Sequence, residues 1–166
     1  RFYFVRPDGA TVHYDKRHLF TYGGEHKEYT GGDRRVIAEY KGWRILLQVC
    51  YDLRFPVWSR NRDDYDMILY VASWPTPRVE AWSALLKARA IENVCYVAGV
   101  NRVGDDPNCN YCGGTVLLDF LGKPLADAGT GGQPATLSAE ADKISLTTFR
   151  EKFPALQDAD PFTLNI

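Results

Sequence analysis

"WRILLQVCYDLRFPVW", residues 43–58, decides the fold class of this chain. Its first half has an unbroken apolar centre, Ile45-Leu46-Leu47, without the polar–apolar alternation of a half-exposed strand. Such a run reads as a β-strand covered on both faces. At Cys50 the run stops and a polar segment begins, with Pro56 suited to the first turn of a short helix. A second run of the same kind, "DMILYVASW" at 66–74, ends on the breakers of "PTPR".

Working outward, "RVIAEY" (35–40) and "KG" form a tight hairpin with the first of these strands. From Val79 to Asn93 the period becomes helical, with Trp82, Leu85, Leu86, Arg89 and Ile91 on one flank. "VCYVAGVNRV" (94–103) returns to strand and "GDDPNCNYCGG" (104–114) reads as a loop. "TVLLDFLGKPLADAG" (115–129) predicts a hairpin turning at Leu121-Gly122-Lys123, and "TLSAEAD" (136–142) a further strand. Asp142 then caps a helix in which Leu146, Phe149 and Phe153 keep a helical spacing, and residues 153–166 form an irregular tail. At the other end, "RFYFV" and "TVHYD" flank Asp8-Gly9, a strong hairpin signal. Residues 19–34 carry two Gly pairs and scattered charge, too polar for a core element. Strands alternating with helices, two of them without face alternation, predict an α/β layered fold with helices covering a sheet.

Composition narrows the function classes. The 166 residues suit one ordinary domain, and the formal charge of −1 gives no electrostatic reason for a nucleic-acid or anionic-membrane partner. No apolar stretch approaches the ~20 residues that span a bilayer. Four cysteines in a chain of this length do not form a disulfide framework, which points to a reducing, cytoplasmic setting.

Two residues carry candidate chemistry. A cysteine where a strand runs into a sharp turn is displayed above the sheet, and the next backbone N–H can face an oxyanion. Cys50 fits that place, but by position alone it fits better the small buried hydrophobe that free cysteines commonly are. Lys16, in "YDKRHLF", follows a strand and enters a polar loop. An ammonium beside a thiolate lowers the thiol pKa and stabilises a tetrahedral oxyanion, whereas spacing alone fits a solvated surface lysine better. "CNYC" (109–112) has zinc-knuckle spacing but lacks a second CxxC or a nearby His pair, so no metal site is assigned. His13, His18 and His26 are dispersed and read as solvated or locally bonded.

Taken in order, "YDKRHLF", a loop with "GGEH", "VCYDLRFP" and "ASWP" resemble the nitrilase, or carbon–nitrogen hydrolase, superfamily, most closely its bacterial omega-amidase-like members. The resemblance continues through "YVAGVNRVG" and "REKFPALQDADPF", so it covers nearly the whole chain. It implies an α-β-β-α sandwich that dimerises, a cytosolic enzyme without a cofactor, and a Glu–Lys–Cys triad supported by a second glutamate. Cys50 matches the nucleophile, Lys16 the lysine and Glu25 the second glutamate. Lys16 and the Tyr51 N–H would then stabilise the oxyanion. The implied reaction is hydrolysis of a small carboxylated amide, of the 2-oxoglutaramate or 2-oxosuccinamate type, through a cysteine thioester.

Arg54, four residues after Cys50, returns to the same side of a helical turn and would hold the substrate carboxylate; the other reading is a salt bridge with Asp52 or Asp66. Trp74 either walls the pocket or sits in the core. In the family the general-base glutamate lies well upstream of the lysine, where this chain has no match. Residues 1–166 are therefore expected to be the C-terminal part of one carbon–nitrogen hydrolase domain, inactive alone. A nitrilase, a carbamoylase, or a non-catalytic assembly module are the competing readings.

Overall fold

The computed structural model describes residues 1–164; the last two residues of the expected tail lie outside the described part. The Asp8-Gly9 turn joins β1 (Phe2–Val5) to β2 (Thr11–Tyr14), antiparallel as expected. The segment read as a loop at 19–34 holds more order than its polarity indicates: a 3-10 turn at Thr21–Gly23 and one helical turn, α1 (Glu25–Glu28). Then follow β3 (Ile37–Tyr40), β4 (Trp43–Val49), the 3-10 turn Cys50–Arg54, α2 (Pro56–Ser59) and β5 (Met67–Ala72). The second half contains α3 (Val79–Glu92), β6 (Tyr96–Asn101), β7 (Val103–Asp105), β8 (Asn110–Cys112), β9 (Val116–Leu118), β10 (Pro124–Asp127) and α4 (Lys143–Lys152).

Six strands form one mixed sheet in the order β10-β9-β6-β5-β4-β3. The centre, β4-β5-β6, is parallel, and antiparallel strands close both sides. Successive side chains of a strand point to opposite faces, and β4 uses both. Leu46 joins Ile68, Tyr70 and Val97 under α3, which contributes Trp82, Leu86 and Ala90. Ile45 and Leu47 pack on the other face with Tyr14, Ala38 and Trp58. A third cluster, Val94, Tyr96 and Leu146, seats α4 with Phe149 packed against it. Of the α-β-β-α sandwich, the described residues thus present a six-stranded sheet with α3 on one face and the β1–β2 hairpin on the other. Close approach of α3 requires Gly99: a Cβ there would fall 2.9 Å from Trp82 Cζ2 and closer still to Leu86.

Four expectations in the rest of the chain need correction. "GDDPNCNYCGG" is not plain loop; Asp106 Oδ1 accepts from the N–H groups of Asn108 and Cys109, both at 2.9 Å, and this local turn allows β7 to pair with β8. Residues 136–142 form no strand, because strand propensity needs a partner edge and only Leu137 and Ala141 there are even partly covered. On α3, Ile91 is 50% exposed and lies off the buried flank, which is completed by Arg89 and Ala90. Asp142 does cap α4, accepting from the N–H groups of Ile144 and Ser145, but the helix ends at Lys152 and Phe153 is exposed.

Candidate active site

The strand β4 delivers Cys50 onto the first residue of the 3-10 turn with φ +45°. That left-handed conformation costs a non-glycine residue on the order of 1 kcal/mol, so the surroundings must hold it. Asp52 does much of this. Its carboxylate is fully buried and faces four donors: Tyr14 OH (2.9 Å), the Val49 N–H (3.0 Å), the His18 N–H (2.9 Å) and His18 Nδ1 (2.9 Å). Because an ionised carboxylate only accepts, the proton of the His18 ring is assigned to Nδ1. The Tyr14 hydroxyl in turn accepts from Trp58 Nε1 (2.9 Å) and the Arg17 N–H (3.1 Å). Burial first, and the adjacent Asp52 charge second, push the Tyr14 phenol far above its ordinary range and keep it protonated. The His18 ring stacks on Phe55 with centroids 3.8 Å apart. These contacts lock the segment that carries Lys16 against the turn that carries Cys50.

Lys16 is nearly buried, with 11% of its side chain exposed, and its Nζ donates to Glu25 Oε2 at 2.6 Å. The same oxygen accepts the Phe20 N–H at 2.9 Å. The returning loop is held by the Gly32 N–H, which donates to Lys16 O at 2.8 Å. Gly32 is required there, since a Cβ would come within 2.8 Å of the Asp15 side chain and closer to its carbonyl.

Lys16, Glu25, Cys50, Tyr51, Arg54 and Trp74 all line one cavity of about 800 Å³ at the carboxyl end of β4 and β5, joined by Phe20 and Arg78 among others. The Tyr51 N–H belongs to the first turn of the 3-10 segment, where backbone donors have no carbonyl behind them. The Cys50 Sγ lies 4.0 Å from Ser73 O. Burial pushes the thiol up from its ordinary value, while the Lys16 ammonium pulls it down without overcoming that effect. A resting neutral thiol needs a base to become a nucleophile.

Among the described residues Arg54 makes no salt bridge. Asp52 is occupied by the donors above and Asp66 by Arg44, Lys143 and Arg150, while the Arg54 guanidinium lies over the Trp74 ring at 5.1 Å. Trp74 is both wall and core: 2% exposed, lining the cavity, its backbone N–H on Asn101 Oδ1 (2.7 Å) and its Nε1 on Arg78 O (2.7 Å). Asn101 Nδ2 completes the clamp by donating to Trp74 O (3.0 Å) and Gly113 O (2.6 Å). Sequence reading passed over Asp52, Tyr14 and Asn101 as site supports. The available signal was an aspartate two residues beyond the cysteine, flanked by Tyr51 and Leu53, and an asparagine closing an apolar strand.

The family model described as carbon–nitrogen hydrolase matches residues 2–151. The chain is 57% identical to Omega-amidase YafV from Yersinia enterocolitica over 165 residues, 99% of this chain and 64% of the relative. It is 33% identical to 2-oxoglutaramate amidase from Bacillus subtilis (strain 168), covering 94% of this chain and 61% of that protein. Among solved structures, XC1258 from Xanthomonas campestris, a CN-hydrolase superfamily protein with an arsenic adduct in its active site, superposes with a TM-score of 0.91 at 48% identity, over 98% of this chain and 64% of that one. The chain therefore spans a little under two thirds of the length of these relatives, and over that span it belongs to the carbon–nitrogen hydrolase family.

Proposed function

We propose that the protein carrying this chain is an amidase that hydrolyses the amide of small carboxylated substrates, of the 2-oxoglutaramate or 2-oxosuccinamate type. The observation that carries the reading is the assembly in one cavity of a cysteine on a left-handed turn, a lysine–glutamate pair and an arginine without a carboxylate partner among the described residues. The likeness to Omega-amidase YafV and 2-oxoglutaramate amidase supports the substrate class.

In the proposed mechanism the Cys50 sulfur attacks the amide carbon, forming a C–S bond and a tetrahedral oxyanion. Lys16 Nζ and the Tyr51 N–H stabilise that oxyanion. The C–N bond breaks as the nitrogen takes up a proton, and ammonia leaves. Water then attacks the thioester carbonyl, the C–S bond breaks, and the carboxylic acid departs. Glu25, engaged by Lys16 and the Phe20 N–H, serves to hold the lysine. The Cys50 proton passes to a general base, the role the family resemblance gives to a glutamate. Arg54 reads the substrate carboxylate and Trp74 walls the pocket. A cytoplasmic location and assembly into a homodimer, to which the exposed Phe153 could contribute, belong to the same proposal.

Ammonia release from a panel of amides, N-carbamoyl acids and nitriles tests the reading. Turnover of carboxylated amides by the whole protein, lost in Cys50→Ala, is the expected result. Preferential turnover of nitriles or N-carbamoyl acids would replace the amidase with a nitrilase or a carbamoylase. Absence of any turnover would favour the non-catalytic module.

A further inference from the structure

The charges around the cavity do not balance. Lys16 is neutralised by Glu25 and Arg1 by Asp15, each ion pair at 2.6 Å. Two further guanidinium groups line the same cavity, those of Arg54 and Arg78, and neither has a carboxylate within 4 Å among the described residues. Both are laid on aromatic rings: Arg54 over Trp74 at 5.1 Å and Arg78 over Phe20 at 5.4 Å. A guanidinium lying over a ring keeps its edge N–H groups available for an acceptor in its own plane, and it loses little freedom when one arrives.

The two rings are tied to the reacting groups. The Trp74 indole donates to the Arg78 carbonyl, so the ring beneath Arg54 fixes the backbone of Arg78. The Phe20 N–H shares Glu25 Oε2 with Lys16, so the ring beneath Arg78 is set relative to the lysine beside Cys50. We infer that Arg78 is a second specificity-determining residue, forming with Arg54 a two-arginine seat for the substrate's carboxylate. A carboxylate offers about four lone-pair directions, and one arginine fork uses only two. The second fork takes the remainder, or an oxygen on the carbon next to the carboxylate. The ligand class is a small amide bearing an ionised carboxylate at the end remote from the scissile bond. This rests on the amidase reading above.

The test compares succinamate with butyramide, which replaces the carboxylate by a methyl group, using the whole protein. In Arg78→Ala the ratio of kcat/KM for succinamate to that for butyramide should fall on the order of 10- to 100-fold. A ratio within about twofold of the unmodified protein would overturn the inference. Should Arg78→Ala fail to fold, Arg78→Lys keeps the charge without the fork and should lower the ratio by a smaller factor; an unchanged ratio there also overturns it. If the unmodified protein hydrolyses neither amide, the amidase reading is what has failed, and calorimetric titration with succinate decides the Arg78 inference separately. Binding weakened at least about tenfold in the variant supports the seat, and equal binding removes it.

Discussion

At the scale of single residues, the proposed mechanism asks most of Cys50, and the surroundings make it a reluctant thiolate. Burial raises its pKa and Lys16 opposes the rise. Removing the ammonium should therefore raise the pKa further and lower the thiolate fraction at neutral pH. In Lys16→Met, iodoacetamide should alkylate Cys50 several-fold more slowly at pH 7, and the pH midpoint of the reaction should move upward. A midpoint unchanged from the unmodified protein would mean that Lys16 does not act on the thiol. Position alone favoured the buried hydrophobe for Cys50, because a strand-end cysteine has the same sequence signature in both cases and buried cysteines are the commoner. The left-handed backbone and the shared cavity with Lys16 are three-dimensional facts that no spacing encodes.

Between elements, the joint that matters is the one Asp52 makes between β2 with its following loop and the turn after β4. All four groups facing that carboxylate are donors, and an amide has only one oxygen to offer them. Asp52→Asn should leave part of the set unpaired, lower kcat/KM on the order of 10- to 100-fold and depress the melting temperature by several degrees. Full activity in that variant would show that the lysine segment does not need the carboxylate. The sequence displayed the central strands, α3 and α4 because their signals are strong: unbroken apolar runs, a helical period and a capping aspartate. It concealed β7 and β8, whose pairing depends on Asp106 turning the chain within a stretch of strand-breaking residues. It also overstated residues 136–142, where propensity found no partner edge. Asp52 was visible as a charge but not as a hub, since three of the four donors facing it come from residues 14–18, more than thirty positions earlier in the chain.

Across the whole molecule, Asp66 ties α4 to the sheet through Arg44 Nη2 (2.8 Å), Lys143 Nζ (3.0 Å) and Arg150 Nη1 (3.4 Å). Burial pushes this carboxyl upward, but the hydrogen bonds from Arg44 and Lys143 outweigh it and hold the pKa at about 2. The unfolded value is roughly 3.9, so folding depresses it. The resulting stabilisation is present above about pH 4 and is lost as pH falls through about 2. Asp66→Asn should lower stability at neutral pH by roughly 3 kcal/mol and flatten the decline in melting temperature between those pH values. An unaltered acid slope would remove Asp66 from the acid response.

The measurement that bears most directly on the central claim is acid quenching of the whole protein during turnover of 2-oxosuccinamate, followed by peptide mass mapping. The account predicts one acyl adduct, on the peptide containing Cys50, with the mass of the substrate less ammonia. Ammonia release accompanied by no adduct on that peptide, or continuing undiminished in Cys50→Ala, would contradict it.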